Sequence, residues 1–500
     1  MNSEVIRESA AEQELQRRRK LETLRERGIQ PYPNDFQPTH HAADVLTAHE
    51  GQDAVTLEKA DLSYKLAGRI MTLRSFGKAA FIKIADRSGI LQIYVAKDGI
   101  GEEAYDVFTK LIEVGDIVGV EGTPMRTRTG ELSIHARVFR LVTKSLQPMP
   151  EKWHGLKDIE IRYRRRYLDL LANREVTDLF ILRSRILQSL RRFFDGRGFL
   201  EVETPMMHSL AGGAAARPFV THHNALDLQL YMRVAPELHL KRLLVGGLER
   251  VYELNRCFRN EGVSTQHNPE FTMLEFYQAF ATYQDLMTLT EDLFSSLALE
   301  LRGQTTVPYQ GQEISLAGPY RRLPVKGGLA EALGVEESRL SDGQSLRAIA
   351  DSHKVAYAPD WTDGKVLMAL FEEKIESTLI QPTFVVDFPL DVSPLARKKD
   401  GQEDLVDRFE LYICGREMAN AFSELNDPDD QRSRFQGQME AKARGDDEAM
   451  PYDEDYVRAL EYGMPPAGGQ GIGIDRLVML LSDSPSIRDV ILFPLLKPER

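Results

Sequence analysis

The amino-acid sequence predicts an α+β protein in two parts: a small five-stranded β-barrel, then a larger domain whose helices flank an antiparallel sheet. Three observations carry that prediction. Short runs of period-two hydrophobicity crowd into residues 61–147, an amphipathic helix opens at 176, and the strands after it are interspersed with helices without regular βαβ alternation. The 500 residues are 42% hydrophobic and 28% charged, enough apolar surface to close both cores.

Residues 1–60 form a charged helix and lead-in. Within 4–27, acids alternate with Arg17, Arg18, Arg19, Lys20, Arg25 and Arg27, and Gly28, Pro31 and Pro33 end the helix. Its basic residues suit either a solvated, salt-bridged surface or a rib lying on nucleic-acid phosphate. The segment lacks the apolar stretch of a secretion signal, and no run of about 18 apolar residues suits a membrane span, so a soluble, unprocessed chain is expected. Cys257 and Cys414 are the only cysteines, which excludes a disulfide framework and a cysteine-based zinc site and fits a reducing cytoplasm.

Five strands are predicted between 61 and 147, over 65–73, 80–85, 90–95, 117–122 and 132–141. A helix over 102–111 falls between the third and fourth, where an OB-fold carries its helix. Alternation buries Ile82, Ile84, Leu91, Ile93 and Val95 and turns Phe81, Lys83, Gln92 and Tyr94 to the opposite face. The whole chain carries a net charge of −13, which excludes a general basic coat, yet 61–145 holds 13 Lys+Arg against 10 Asp+Glu. That local reversal suits a nucleic-acid module with Phe81 as a stacking platform; packing beneath the N-terminal helix would equally account for the ring.

Residues 148–175 read as a linker, and the larger domain spans 176–500. Its first helix, 176–194, is apolar at 179, 180, 186, 187, 190, 193 and 194 and ends at Gly196 and Gly198. Strands are predicted at 200–204, 231–234, 250–258, 271–277, 383–388 and 407–413, and 300–380 reads as an inserted helical segment.

The sequence has no P-loop, no dinucleotide-binding G-x-G-x-x-G and no H-E-x-x-H zinc helix. Three other constellations could carry chemistry. Gly468 to Arg476 (GGQGIGIDR) would let backbone approach a ligand beside the Arg476 charge, or would make a tight turn closed by an Asp475–Arg476 pair. Arg259 and Glu261, on an extended continuation of 250–258, would share one face and meet an anionic ligand or each other. Glu410 and Glu417 flank Cys414-Gly415; a two-residue turn there places Glu417 opposite Tyr412 with Glu410 on the same face, a pair of hard oxygen donors suited to magnesium, whereas a turn elsewhere leaves both in solvent.

Taken together, GFLEVETP (198–205), FRNEG (258–262) followed by HNPEFTMLEFY (267–277), and GIGIDR (471–476) resemble the three signature motifs of class II aminoacyl-tRNA synthetases. The preceding barrel resembles the anticodon-binding domain of their subgroup b. Within it, GGAAARPF (212–219), MRVAPELHLKRLLVGGLERVYE (232–253) and REMANAFSELND (416–427) resemble the bacterial lysyl-tRNA synthetase family, with Ala211 as a departure where many relatives have proline. The resemblance implies ATP-dependent attachment of L-lysine to the 3′ end of tRNA(Lys) through a lysyl-adenylate, in a homodimer. It implies Arg259 and Arg476 as catalytic residues, Arg259 bridging the lysine carboxylate and the α-phosphate. ATP would meet these two with Glu261, His267, Asn268, Phe271 and Met273, and Glu410 and Glu417 would hold Mg²⁺. Lysine would meet Gly213, Glu237, Arg259, Glu275, Tyr277, Asn420, Phe422, Glu424 and Gly471, its acids repelling one another until the substrate enters. Phe81 and Gln92 would read the anticodon.

Two relatives of similar architecture compete: a synthetase for aspartate or asparagine, which needs a cation where this chain offers Glu237, Glu275 and Glu424, and a lysyl ligase acting on protein, which generally lacks the barrel. A non-catalytic RNA-binding paralogue would be expected to lack Arg259, Arg476 or the paired glutamates, and all are present.

Overall fold

The computed structural model describes residues 3–59, 62–149, 158–446 and 448–499. It divides into two compact units, Met1–Gly155 and Leu156–Arg500.

The first unit opens with helix α1 (Ser3–Glu26). Leu21 and Leu24 are buried, and Arg17 is buried with them, donating to the carbonyls of Val114 at 2.9 Å and Ser145 at 3.2 Å. Lys20 pairs with Glu113 at 2.9 Å. The helix is therefore neither wholly solvated nor free along its basic side; one stripe braces it to the barrel. The strands β1 (Tyr64–Phe76), β2 (Ala79–Ala85), β3 (Ile90–Ala96), β4 (Ile117–Arg126) and β5 (Leu132–Thr143) close a barrel in the order β1-β2-β3-β5-β4. Helix α2 (Glu102–Leu111) lies between β3 and β4 in sequence and buries Tyr105, Phe108 and Leu111. Ile82, Ile84, Leu91, Ile93 and Val95 all lie in the barrel core.

In the second unit residues 159–172, expected as linker, are two short helices, Ile159–Arg164 and Arg166–Ala172; residues 150–157 of that expected linker lie outside the described residues. Arg166 fixes the second helix by bonding Asp169 and the carbonyls of Arg488 and Leu492. Helix α3 (Arg174–Asp195) follows. The main sheet has nine strands, eight of them on one path. In chain order these are β6 (Leu200–Glu201), β7 (Arg250–Phe258), β8 (Glu270–Ala279), β9 (Arg321–Pro324), β10 (Thr383–Pro389), β11 (Gln402–Ile413), β12 (Arg416–Ser423) and β13 (Ala467–Gly473). Their order across the sheet is β9-β10-β11-β12-β13-β8-β7-β6, antiparallel except for the outer pairs β6/β7 and β9/β10, and Lys398–Lys399 adds to β11.

Alternation divides the sheet into two faces. Leu274 and Phe276 of β8, Ile472 of β13, Ala419 and Ala421 of β12, and Phe409 and Leu411 of β11 share one core with α3 and helix α4 (Tyr283–Arg302), where Phe194 packs 4.7 Å from Phe276. The residues between them face the other way and build the site.

Four elements differ from the sequence reading. The 200–204 strand pairs only over β6, since Pro205 has no N–H to extend the ladder. The 231–234 strand is Leu228–Met232, in a separate sheet with Met207–His208 and Val220–His223. Residues 300–380 contain a hairpin, Thr306–Tyr309 with Gln312–Ser315, and strand β9 as well as helices. The glycine-rich 468–473, read as loop or turn, is the strand between β8 and β12.

Candidate active site

The floor of the site is a set of cross-strand rows on the face of the sheet turned away from the core. Phe271, Met273, Glu275 and Tyr277 alternate along β8. Register sets Tyr277 opposite Gly469, Gly469 opposite Phe422 and Phe422 opposite Arg408; one row on, Glu275, Gly471, Asn420 and Glu410 stand in line. Directly opposed residues of antiparallel strands project to the same side, so these side chains meet over one patch. The glycines of β13 supply the room: a Cβ on Gly469 would stand 2.1 Å from Glu424 Oε1 and 2.3 Å from the Tyr277 ring, and one on Gly471 would stand 2.7 Å from Met273 Cε.

A cavity of about 420 Å³ opens over this floor. Gly213, Glu237, Arg259, Glu261, His267, Asn268, Phe271, Met273, Glu275, Tyr277, Glu410, Glu417, Asn420, Phe422, Gly471 and Arg476 all line it. Glu424 does not; its carboxylate lies over Gly469 on the same face as Tyr277, with 1% of the residue's surface exposed and its Oε1 without a hydrogen-bond partner among the described residues. Helix α5 (Glu237–Val245) presents Glu237 from its first turn, where the helix dipole favours an anion.

At the other end, residues 259–265 leave the strand: Glu261 N–H donates back to the Arg259 carbonyl at 2.9 Å, so the shared extended face expected for this pair is replaced by a tight bend. Arg259 lies 5.2 Å from the Phe271 ring centroid, and its buried Nε has no hydrogen-bond partner among the described residues. Arg476 bonds the Glu417 carbonyl, approaches the Glu417 carboxylate at 3.6 Å and reaches His267 at 3.4 Å. Asp475 instead pairs with Arg183 at 2.7 Å and accepts from the Thr272 amide, which rules out the Asp475–Arg476 closure. Cys414 and Gly415, at φ +52° and +65°, make the two-residue turn joining β11 to β12, and Tyr412 pairs with Glu417. Glu410 accepts from Tyr412 at 2.7 Å and pairs with Arg408 at 2.6 Å; burial, with Glu417 adding repulsion, pushes its carboxyl up to about 7.

A family model described as tRNA synthetases class II (D, K and N) matches residues 158–497. This chain belongs to that family. A second model, the OB-fold nucleic acid binding domain, matches residues 64–142. Proteins called Lysine--tRNA ligase are similar over nearly the whole length. That of Carboxydothermus hydrogenoformans is 55% identical over 96% of each chain, that of Oceanobacillus iheyensis 54% over 96% of this chain and 97% of its own, and that of Magnetococcus marinus 52% over 100% of both.

On the barrel of this class II synthetase, Phe81 lies outside the core. Its ring stands 6.3 Å from Phe76 and 5.1 Å from Tyr94, which in turn stands 5.2 Å from His135. Gln92 donates its amide to Ser133 at 2.9 Å. Packing beneath α1 therefore does not account for Phe81, which belongs to an aromatic row on the outer surface.

Sequence reasoning missed two charged residues. Lys241, with no side-chain exposure, pairs with Glu237 at 2.6 Å and also with Glu424. The mutual repulsion expected among the acids is thus partly neutralised by a resident ammonium. An i, i+4 Glu–Lys pair on a helix ordinarily reads as a surface pair, so nothing local marks this one as buried. Arg408 holds Glu410 and donates to the Asn420 side-chain oxygen at 3.1 Å, turning the amide nitrogen of Asn420 away. Its signal was its place two residues before Glu410 on one strand face. Glu275, with no cation bonded to it among the described residues, is pushed up to about 8 by burial and then by Glu237, and accepts from Tyr277 at 3.2 Å.

Proposed function

We propose that this synthetase joins L-lysine to the 3′ end of tRNA(Lys). The observation that supports lysine is the charge at one end of the cavity: Glu237, Glu275 and Glu424 are buried there with Lys241 as the cation paired to two of them. An aspartate or asparagine side chain would face acids where it needs donors, and the names of the similar proteins agree with lysine.

A lysine carboxylate oxygen attacks the α-phosphorus of ATP, the bond to the β-phosphate oxygen breaks, and pyrophosphate leaves. The terminal ribose hydroxyl of the tRNA then attacks the carbonyl of the lysyl-adenylate and AMP leaves. This chemistry needs positioning and charge stabilisation rather than a protein nucleophile. Arg259, with its unpartnered Nε, spans the lysine carboxylate and the α-phosphate. Phe271 and Arg476 sandwich the adenine, with Glu261, His267, Asn268 and Met273 around the nucleotide. Burial, then the charge of Arg476, holds the His267 imidazole below its usual range in the empty site.

At the lysine end, Glu237 meets the α-ammonium, Glu275, Tyr277 and Glu424 surround the ε-ammonium, and Gly213, Asn420, Phe422 and Gly471 shape the walls. Glu410 and Glu417 fit a hard cation: the donors are carboxylate oxygens lining one cavity, and burial, then the charge of Glu417, favours protonation of Glu410 in spite of Arg408, so a cation has a proton to displace there. They would hold Mg²⁺, which when bound neutralises phosphate charge. Phe81 and Gln92 meet the anticodon, Phe81 by stacking and Gln92 by its amide. A homodimer through α3 and β6, where Ile181 and Leu200 are exposed, and a place in the cytoplasm complete the reading.

Charging of a tRNA(Lys) transcript with radiolabelled amino acids tests it. ATP-dependent transfer of lysine to acid-precipitable tRNA is expected; transfer of aspartate or asparagine instead would overturn the reading.

A further inference from the structure

Lys241 has no part in the substrate contacts above, yet it is a fully enclosed cation at the amino-acid end. Its side chain is fully shielded, one turn after Glu237 on α5, and its Nζ bonds Glu237 and pairs with Glu424, a residue at the end of β12. The ring of Phe422 stands 5.2 Å away. Tyr456 on Glu454–Glu461, Glu275 and Tyr277 on β8 and Arg408 on β11 are the other charged or titratable groups around this triad. Burial alone would drive the ammonium toward its neutral form, but the attraction of Glu237 and then Glu424 carries it above its ordinary range. A buried cation shared by two acids is costly to assemble, so its worth is sought in what it does for them.

We infer that Lys241 is a positioning residue that determines specificity: its ammonium fixes Glu237 and Glu424 in place and leaves the pocket with a surplus of two negative charges, which a substrate carrying two ammonium groups neutralises. The inference rests on the lysine reading given above. Once Glu275 has lost its proton to solvent as the substrate arrives, three carboxylates stand against one ammonium, and that is the surplus. A substrate with an uncharged side chain brings one ammonium and leaves buried carboxylate unmatched, whereas lysine brings two. Without Lys241, burial favours protons on the acids, and a pocket of neutral carboxylic acids no longer discriminates by charge.

The test is ATP–pyrophosphate exchange with the Lys241→Met and Lys241→Arg variants of the full chain, with lysine and norleucine as substrates, between pH 6.5 and 9. In Lys241→Met the lysine KM is expected to rise about 30-fold at pH 7, the scale of a lost charged partner, with the ATP KM changed less than about threefold. That lysine KM is expected to fall as pH rises and the acids ionise, more steeply than in the wild type, where Glu275 alone loses a proton on binding, and the preference for lysine over norleucine to shrink about tenfold. Lys241→Arg, which keeps the charge but not the shape, is expected to show the wild-type pH profile whatever its KM. If Lys241→Met does not fold, Lys241→Met/Glu424→Gln, which removes one stranded acid, is expected to show the same slope with smaller amplitude. A wild-type pH profile in the Met variants, or lysine and ATP KM rising together, would overturn the inference. Absence of lysine-dependent exchange in the wild type would instead overturn the lysine reading beneath it.

Discussion

Glu275 is the side chain whose ionisation should report substrate directly. Burial and then Glu237 push its carboxyl up to about 8, so in the empty site at pH 7 it is mostly protonated. An ammonium arriving beside it favours the carboxylate, and the proton must leave. Lysine binding is therefore expected to release close to one proton at pH 7 and progressively less as pH rises through 8, where the empty site is already ionised. Calorimetric titration in two buffers of different ionisation enthalpy measures this; a heat independent of buffer at pH 7 would contradict it. Residues of this kind divide sharply in how far the sequence reveals them. Arg259, Glu410 and Glu417 stand out because charges at fixed spacing along predicted strands demand a partner. Lys241 does not, because the acid that shares its burial, Glu424, is nearly two hundred positions away and lies over Gly469 of β13.

At the level of elements, β13 departs furthest from what local propensity suggests. Glycine is disfavoured in strands, and GGQGIG reads as a turn until its neighbours are known. The reason for glycine there is the space that Tyr277, Glu424 and Met273 occupy, so Gly469→Ala is expected to destabilise the protein by about 1–3 kcal/mol through overpacking and to raise the lysine KM. Gly437, exposed within the helix Pro428–Ala443 with open space where a Cβ would stand, gives the contrast: its replacement by alanine is expected to stabilise by about 0.4–1 kcal/mol. Denaturant midpoints of the two variants read both signs. The barrel strands were legible because each is flanked by turn residues and β2 and β3 alternate in burial, although β4 and β5 each bury three residues in a row, and α2 has the residue limits that its pattern gives. Their outer face makes its own prediction. Phe81→Ala is expected to weaken tRNA charging by the roughly 1–3 kcal/mol of one stacked base while leaving amino-acid activation intact, because Phe81 and the cavity belong to different units. A parallel fall in both activities would show that Phe81 is structural.

For the whole molecule, periodicity separated barrel from sheet, but topology lay beyond it. The sheet order β11-β12-β13-β8 brings together strands from residues 270–279, 402–423 and 467–473, and the cavity exists only because of that order. The 300–380 segment misled for a physical reason: its helices pack Leu340, Leu346, Leu370 and Phe371 against Val385 and Phe388 of β10 and Val406 and Tyr412 of β11, and that strong helical signal masked the short hairpin and edge strand before it. Ile181 and Leu200, exposed at α3 and β6, lie in the segment expected to form a two-fold contact, and such a contact must be self-complementary. Light scattering on the active enzyme is expected to give the mass of two chains, and the mass of one would contradict the dimer.

The choice of amino acid is assigned to buried acids offset by one resident lysine. ATP–pyrophosphate exchange measured separately with each of the twenty amino acids decides the matter. Lysine is expected to support exchange far above every other amino acid, with aspartate and asparagine at background. Exchange driven by aspartate or asparagine, or by an uncharged amino acid as well as by lysine, would contradict it.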